Sequence, residues 1–385
     1  MSDRLRVGVV GAGLIAQVMH LHYLNEMGTR FEIAAVCDVV PQAARACAER
    51  YGAGAAFTDW GEMISAHPLD AVLVLTSGSH APAAIAAAEA GLHVLVEKPM
   101  CFSVAEGQAM IAAAERAGVR LMVAYPKRYD PAYARFREEV AAVAGARMMR
   151  VTTFESPFQP YVAHYRLPPA PPVPDEAAGA LRAQAEASIS GAIGEGASEF
   201  ERRVYHLVLL DTLVHELNTV RGVLGEPDRL DHVDLRDGSL TVMLRFGDLP
   251  VAIHWIDLPG IARYSMEFAL YGPDRRVTLS FPSPFLRSAP ATVVVEAGEA
   301  GTARSWRTEE ITSYESAFQR ELVAFHEWVT GGAAPPTPGA DGLADVALCQ
   351  AIIECHRSKA PVDHPSRPGA GTSPRRPAHS TTSED

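Results

Sequence analysis

Apolar positions along this chain follow two rhythms. Up to about residue 125, short apolar runs alternate with stretches of helical spacing. Arg6–Val10 (RVGVV), Phe31–Cys37 (FEIAAVC), Asp70–Leu75 and Gly91–Val96 read as strands. Helices run to about Met27, begin again at Pro41, where a missing N–H costs nothing, and span about Pro82–Ala90 and Val104–Ala117. Strands that are apolar throughout are buried on both faces, and their alternation with helices of this length requires right-handed crossovers. The pattern predicts an α/β fold whose first domain, residues 1–125, is a doubly wound parallel sheet.

Beyond residue 125 the rhythm changes. Pro131–Val143 reads as a helix, Arg147–Phe154 as a strand, and VYHLVLLDTLVHELNTVRGVLG from Val204 as an apolar helix closed by Gly225. Strand-like segments follow near Arg229–Leu235, Leu240–Phe246, Val251–Asp257, Ser265–Tyr271, Arg276–Phe281 and Thr292–Glu296, separated by turns such as Asp237-Gly238 and Gly247-Asp248. A run of strands closed by two helices, about Tyr314–Thr330 and Asp341–Ser358, predicts an α+β domain over residues 126–360 with a large, mostly antiparallel open sheet. Residues 155–203 form an insertion with a Pro-rich tract (Leu167–Pro174) and an Ala-rich helix at about Glu176–Ser188. It leads into the Val204 helix, so it is expected to cover the cleft rather than to serve as a contact arm. Residues 361–385, rich in Pro, Ser, Thr and Arg, are expected to be a disordered tail.

Composition narrows the classes of function. A net charge of −12 argues against nucleic acid as a partner. No apolar run reaches the roughly 18 residues of a membrane span, and MSDRLRVGVVGAG runs directly into a strand, so a cytoplasmic protein is expected. The five cysteines show no paired spacing and read as reduced thiols. Lysine is rare, occurring only at Lys98, Lys127 and Lys359 among 34 basic residues. A lysine can be shifted to titrate near neutral pH and an arginine cannot, which marks Lys98 at the end of the VLVEKPM strand.

Two constellations carry chemistry. Gly11-Ala12-Gly13-Leu14-Ile15-Ala16 follows the first strand and opens a helix, with alanine as the allowed third residue of a GxGxxG loop. Such a loop lets backbone approach a pyrophosphate at a helix N-terminus, and Gly11, Gly13, Leu14 and Ile15 are its candidate contacts. Asp38 ends the second strand, where an acid accepts from ribose hydroxyls and repels a 2′-phosphate. With Val39 and Val40 behind it, the expected cofactor is NAD, with NADP disfavoured. Ligands of open α/β sheets sit at carboxyl strand ends, so Thr76, Ser77, Ser79, His80, Glu97 and Lys98 are expected to face the cofactor. The second constellation is Asp211 and His215, four apart on one helix, where a carboxylate can orient an imidazole that acts as a base. Such a pair also suits a metal, but HELNT is not HExxH and no third ligand is evident, so no metal is expected.

The GAGLIA loop, the Cys37-Asp38 strand end, TSGSH, AGLHVLVEKPM, YPKRYDP (Tyr125–Pro131), LDTLVHELNTVRGVLG and ALCQAIIECHRSKAPV together resemble the Gfo/Idh/MocA oxidoreductases over roughly residues 4–362. The resemblance implies a Rossmann domain followed by a substrate domain whose sheet makes homodimer or homotetramer contacts. It implies that Lys98, Asp211 and His215 meet at the substrate carbon, with Tyr125 and Arg128 as further substrate-binding candidates. Arg128 either contacts substrate or packs on the second domain. The implied activity is hydride transfer between NAD and a secondary alcohol or ketone of a sugar, cyclitol or related polyol. His215 would be the base, Asp211 its orienting group, and Lys98 the group that stabilises the alkoxide or relays the proton. The alternatives are a redox-neutral reaction on tightly bound NAD (epimerisation, elimination or glycoside cleavage) and a non-catalytic nucleotide sensor. Two departures stand out: Leu209-Leu210 where the family has small residues, and the long 155–203 segment.

Overall fold

The computed structural model describes residues 4–168 and 171–364. The first sheet contains β1 (Leu5–Val10), β2 (Phe31–Cys37), β3 (Ala55–Phe57), β4 (Ala71–Val74), β5 (His93–Glu97) and β6 (Leu121–Ala124). They are all parallel, in the order β3-β2-β1-β4-β5-β6. Local chemistry starts and stops the crossover helices. Ser103 caps Val104–Ala117 by accepting from the Glu106 amide, and Gly118 ends that helix in the left-handed conformation. β3, at three residues, is too short to show a period in the sequence, and β6 is a four-residue apolar run that is not among the strands expected from the sequence.

The second sheet contains β7 (Met148–Glu155), β8 (Arg229–Arg236), β9 (Ser239–Phe246), β10 (Leu249–Asp257), β11 (Ser265–Tyr271), β12 (Arg275–Phe281), β13 (Thr292–Gly298), β14 (Ser305–Ile311) and β15 (Val362–Asp363). Their order is β14-β13-β12-β11-β7-β10-β9-β8-β15, antiparallel except for the β7–β10 pair. β14 is exposed at every position, so no apolar alternation marks it in the sequence. Val362 and Asp363 pair with Leu230 and Arg229, so the expected tail begins as an edge strand; the rest of that expectation, from residue 365 on, lies outside the described residues.

The closing helices tie the halves together. Phe318, Leu322 and Phe325 of Ala317–Val329 join the core formed by β1, β2 and the first helix. Each such buried side chain contributes roughly 1.5–3 kcal/mol. Gly339–Ser358 packs between the Val104–Ala117 helix, β8 and the helix of Asp211 and His215. The candidate cleft is the region where the carboxyl ends of β4 and β5 face that helix, bridged by Lys98 and Asp211.

Candidate active site

The glycine loop is built for close approach. Gly11 has φ +98°, and a Cβ there would lie 2.8 Å from the backbone of Leu75 and Thr76, so only glycine fits. A Cβ at Gly13 would meet nothing within 4 Å, which leaves open space in front of the loop. Asp38 locks the loop from the neighbouring strand: it accepts the Ala12 amide through Oδ2 and the Val40 amide through Oδ1, both at 2.8 Å. Each carboxylate oxygen keeps a further lone pair for a ribose hydroxyl. Leu14 and Ile15 are half-buried against the first-domain core, and Ala16 is fully buried. The shape and donors of this cradle fit a dinucleotide.

The strand-end residues divide. Ser77 is exposed, and Thr76 and Ser79 remain partly accessible. His80 is buried, with Nδ1 2.7 Å from the Pro99 carbonyl and Nε2 2.9 Å from that of Thr76, so it braces the two strand ends against each other. Glu97 is also buried, 2.7 Å from His20, with its other oxygen accepting the Lys98 amide.

Lys98 reaches the second constellation. Its Nζ donates to the Asp211 carbonyl at 2.6 Å and to Asp211 Oδ1 at 2.9 Å. The segment Tyr205–Leu213 is a π-helix that passes into an α-helix, Val214–Leu224. Such wide turns interrupt the regular ladder and cluster at functional sites, and here a lysine ammonium takes up the Asp211 carbonyl. This corrects the expected role of Asp211. Its carboxylate holds Lys98 and makes no hydrogen bond to His215, whose Nδ1 is buried without a partner. The wide turn changes the angular spacing on which the four-residue argument depended.

Charge states also differ from expectation. Burial lowers the pKa of Lys98, but Asp211 and Glu97 outweigh it and the net shift is upward, so Lys98 is a fixed ammonium and not a titrating relay. The lysine that shifts toward neutrality is Lys127, 7% exposed and lowered to about 8 by burial, with the Glu216 charge opposing. Glu216, fully buried beside Thr153 Oγ1, is raised to about 7 by burial. Glu155 at the end of β7 is raised by burial as well. Burial, then the charges of Lys127 and Lys98, hold His215 well below the ordinary imidazole value, which keeps it a neutral base. The Tyr125 ring meets His215 edge-on, with centroids 6.1 Å apart. Lys127, Glu155 and Glu216 were missed in the sequence, although the scarcity of lysine pointed as much to Lys127 as to Lys98.

Arg128 takes the packing alternative. It donates to the Asn218 carbonyl and Oδ1 at 3.1 and 3.2 Å, on the helix that follows Asp211. A Cβ on Gly222 would lie 2.2 Å from its guanidinium carbon. Asn218 and Arg221 continue this brace to Asp345 at 2.7 Å each.

The 155–203 insertion splits in two. Its Asp175–Ile193 helix packs on the outer side of Gly339–Ser358, where Gln350 and Arg357 bond the carbonyls of Ala192 and Ile193, and it does not cover the cleft. The earlier part lies nearer the chemistry. Tyr161 accepts the Tyr264 amide at 2.7 Å and donates to the Ala262 carbonyl at 3.2 Å. Tyr165 stacks under Arg287, which bonds the Val18 carbonyl beyond the glycine loop.

Residues 5–125 match the family model described as the Gfo/Idh/MocA oxidoreductase family, NAD-binding Rossmann fold. Inositol 2-dehydrogenase 3 of Saccharopolyspora erythraea is 27% identical over 95% of this chain and 97% of its own. Myo-inositol 2-dehydrogenase of Thermotoga maritima is 27% identical over 89% of this chain and 94% of its own. Levoglucosan dehydrogenase, solved in complex with NADH, superposes with a TM-score of 0.71 at 19% identity, over 94% of this chain and 99% of that one, a likeness of fold. The glycine cradle locked by Asp38 and these relatives across nearly the whole length lead to one assignment: residues 5–125 are an NAD-binding Rossmann domain of the Gfo/Idh/MocA oxidoreductase family, and the chain as a whole is similar to dehydrogenases that carry it.

Proposed function

We propose that the enzyme interconverts a secondary alcohol and a ketone on a neutral sugar, cyclitol or related polyol. The observation that carries this reading is the pairing of a fixed ammonium with a neutral imidazole. Lys98 Nζ is held by Asp211 at 2.6 and 2.9 Å, while burial and two lysine charges keep His215 unprotonated. An alcohol that loses hydride must also lose its hydroxyl proton. His215 takes that proton, and Lys98 stabilises the developing alkoxide as a charge-assisted donor. Gly11, Gly13, Leu14, Ile15, Asp38, Thr76, Ser77 and Ser79 would hold NAD, which supplies the hydride acceptor when bound. His80 and Glu97 support that surface from beneath. Asp38 without an adjacent arginine favours NAD over NADP. Tyr125 shapes the imidazole side of the pocket. The outward side of the nine-stranded sheet, ending in the exposed β14, is the surface we assign to self-association.

The test is a panel of cyclitols, anhydro sugars, aldoses and their keto forms, followed by nicotinamide absorbance with NAD or NADH. Turnover on a neutral polyol, lost in His215→Ala, supports the reading. Turnover confined to acidic sugars, or activity that survives in His215→Ala, counts against it.

A further inference from the structure

Beneath the Lys98 strand end lies a group of buried ionisable side chains that no step above uses. Glu97 is 5% exposed, with Oε1 2.7 Å from His20 Nε2 and Oε2 accepting the Lys98 amide at 3.0 Å. His20 is fully buried and comes from the π-helical turn Ala16–His20 that follows the glycine loop. The Phe318 ring meets it edge-on, and its Nδ1 has no hydrogen-bond partner. In either the neutral or the charged ring, Nε2–H is the donor to an ionised Glu97.

Glu97 is then the ionised member. Burial raises its carboxyl pKa, but the His20 hydrogen bond and then the charges of His20 and Lys98 outweigh this, and the net shift is downward. The other groups facing the pair do not replace that charge. His80, whose two ring nitrogens face carbonyls and whose pKa burial lowers, supplies no negative charge. Glu321, from the helix Ala317–Val329, is pushed well above the carboxylate range by burial and then by Glu97, so it is a neutral acid. On the cleft side, Lys98 faces Asp211 and Glu155, with Lys127 as the opposing cation.

We propose that His20 is a positioning residue for catalysis: by keeping Glu97 ionised in a dry interior, it places a negative charge directly behind Lys98 and so fixes the ammonium on Asp211. The role links the first turn after the cofactor loop to the catalytic lysine, through one hydrogen bond and one peptide unit. It rests on the reading of Lys98 above, but it can be tested without substrate or cofactor.

The chain has three lysines, so protein labelled with 13C at lysine Cε gives three signals, assigned with Lys98→Arg, Lys127→Arg and Lys359→Arg. Their pH titration reads Lys98 directly. Removing an opposite charge at this range lowers a lysine midpoint by about 1–3 pH units. Glu97→Gln should therefore move the Lys98 midpoint down by about one unit or more. His20→Leu should move it the same way, because Glu97 without its donor takes up a proton. His20→Gln, which presents an amide donor near the Nε2 position, should stay close to wild type. An unmoved midpoint in Glu97→Gln overturns the proposal, and that near-isosteric variant decides the matter if His20→Leu does not fold. A shift in His20→Gln as large as in His20→Leu also overturns it, since shape and not the donor would then be responsible. An unmoved midpoint with an inactive Lys98→Ala defeats this inference alone, whereas an active Lys98→Ala defeats the proposed function.

Discussion

Replacing Lys98 by alanine removes the ammonium that Asp211 holds at 2.6 and 2.9 Å, and it tests the site at its most constrained point. A hydrogen-bonded ammonium about 3 Å from an alkoxide contributes roughly 5 kcal/mol at an effective dielectric near 20. The Asp211 carboxylate on the far side of the lysine opposes part of that, and its side chain is 61% exposed, so solvent screens the pair. About 3–4 kcal/mol remains, close to the measured effect of removing one preorganised donor, and corresponds to a fall in kcat of about 10²–10³-fold. Affinity for NADH, read by fluorescence titration, should be largely kept, because the glycine loop and Asp38 are untouched. Lys98→Arg should not restore turnover, since a planar fork cannot bring one nitrogen onto both Asp211 oxygens as an ammonium does. Stopped-flow absorbance of the nicotinamide gives kcat. A kcat within about threefold of wild type in Lys98→Ala would falsify the electrostatic role.

Three further outcomes follow from particular residues. Wild type should bind NADH at least about tenfold tighter than NADPH, roughly 1.4 kcal/mol, and Asp38→Ser should narrow that gap in calorimetry; tighter NADPH binding by wild type contradicts the role of Asp38. Glu216 is raised to about 7, so the folded protein holds a proton there that the unfolded chain releases near 4.5. Its contribution is present below that unfolded value and is lost as pH rises toward 7, by up to about 1.4 kcal/mol per unit. Glu216→Gln should therefore gain Tm relative to wild type between pH 5 and pH 7 (about the span of that shift) in scanning fluorimetry, and parallel Tm values would refute the assignment. Replacing the Asp175–Ile193 helix with a Gly/Ser linker should lower stability with KM unchanged, whereas Tyr161→Phe, which keeps the ring but loses the acceptor for the Tyr264 amide, should raise KM. The reverse pattern would place the helix over the cleft.

The legible parts of the fold were those where period and burial agree. β1, β2, β4 and β5 are apolar at nearly every position because both faces are covered, and β8 to β13 appeared between their turns. β3 and β14 escaped because three residues, or a fully exposed edge, leave no period to read, whereas β6, an apolar run as short as β4, was missed as a strand. At the candidate site, Lys98 was proposed from its strand end, Asp211 and His215 from their spacing, and their meeting from the family resemblance, but which of them bonds which was not legible. Four-residue spacing places two side chains on one face only if the helix is regular, and Tyr205–Leu213 is not. His20 and Glu216 depend on long-range burial, which a local pattern does not carry. Arg128 could be resolved only by its contact with Asn218 on the helix that follows Asp211.

The central claim is direct hydride transfer between substrate carbon and nicotinamide, with the proton leaving separately through His215. The most direct measurement uses a polyol from the active panel deuterated at its carbinol carbon, incubated with NAD in ordinary water. Mass spectrometry and proton NMR of the reduced cofactor then locate the label. The account predicts one deuterium at nicotinamide C4 and none washed into solvent, with the signal lost in His215→Ala and Lys98→Ala. Unlabelled reduced cofactor, or turnover that yields product with no reduced cofactor formed, would contradict it.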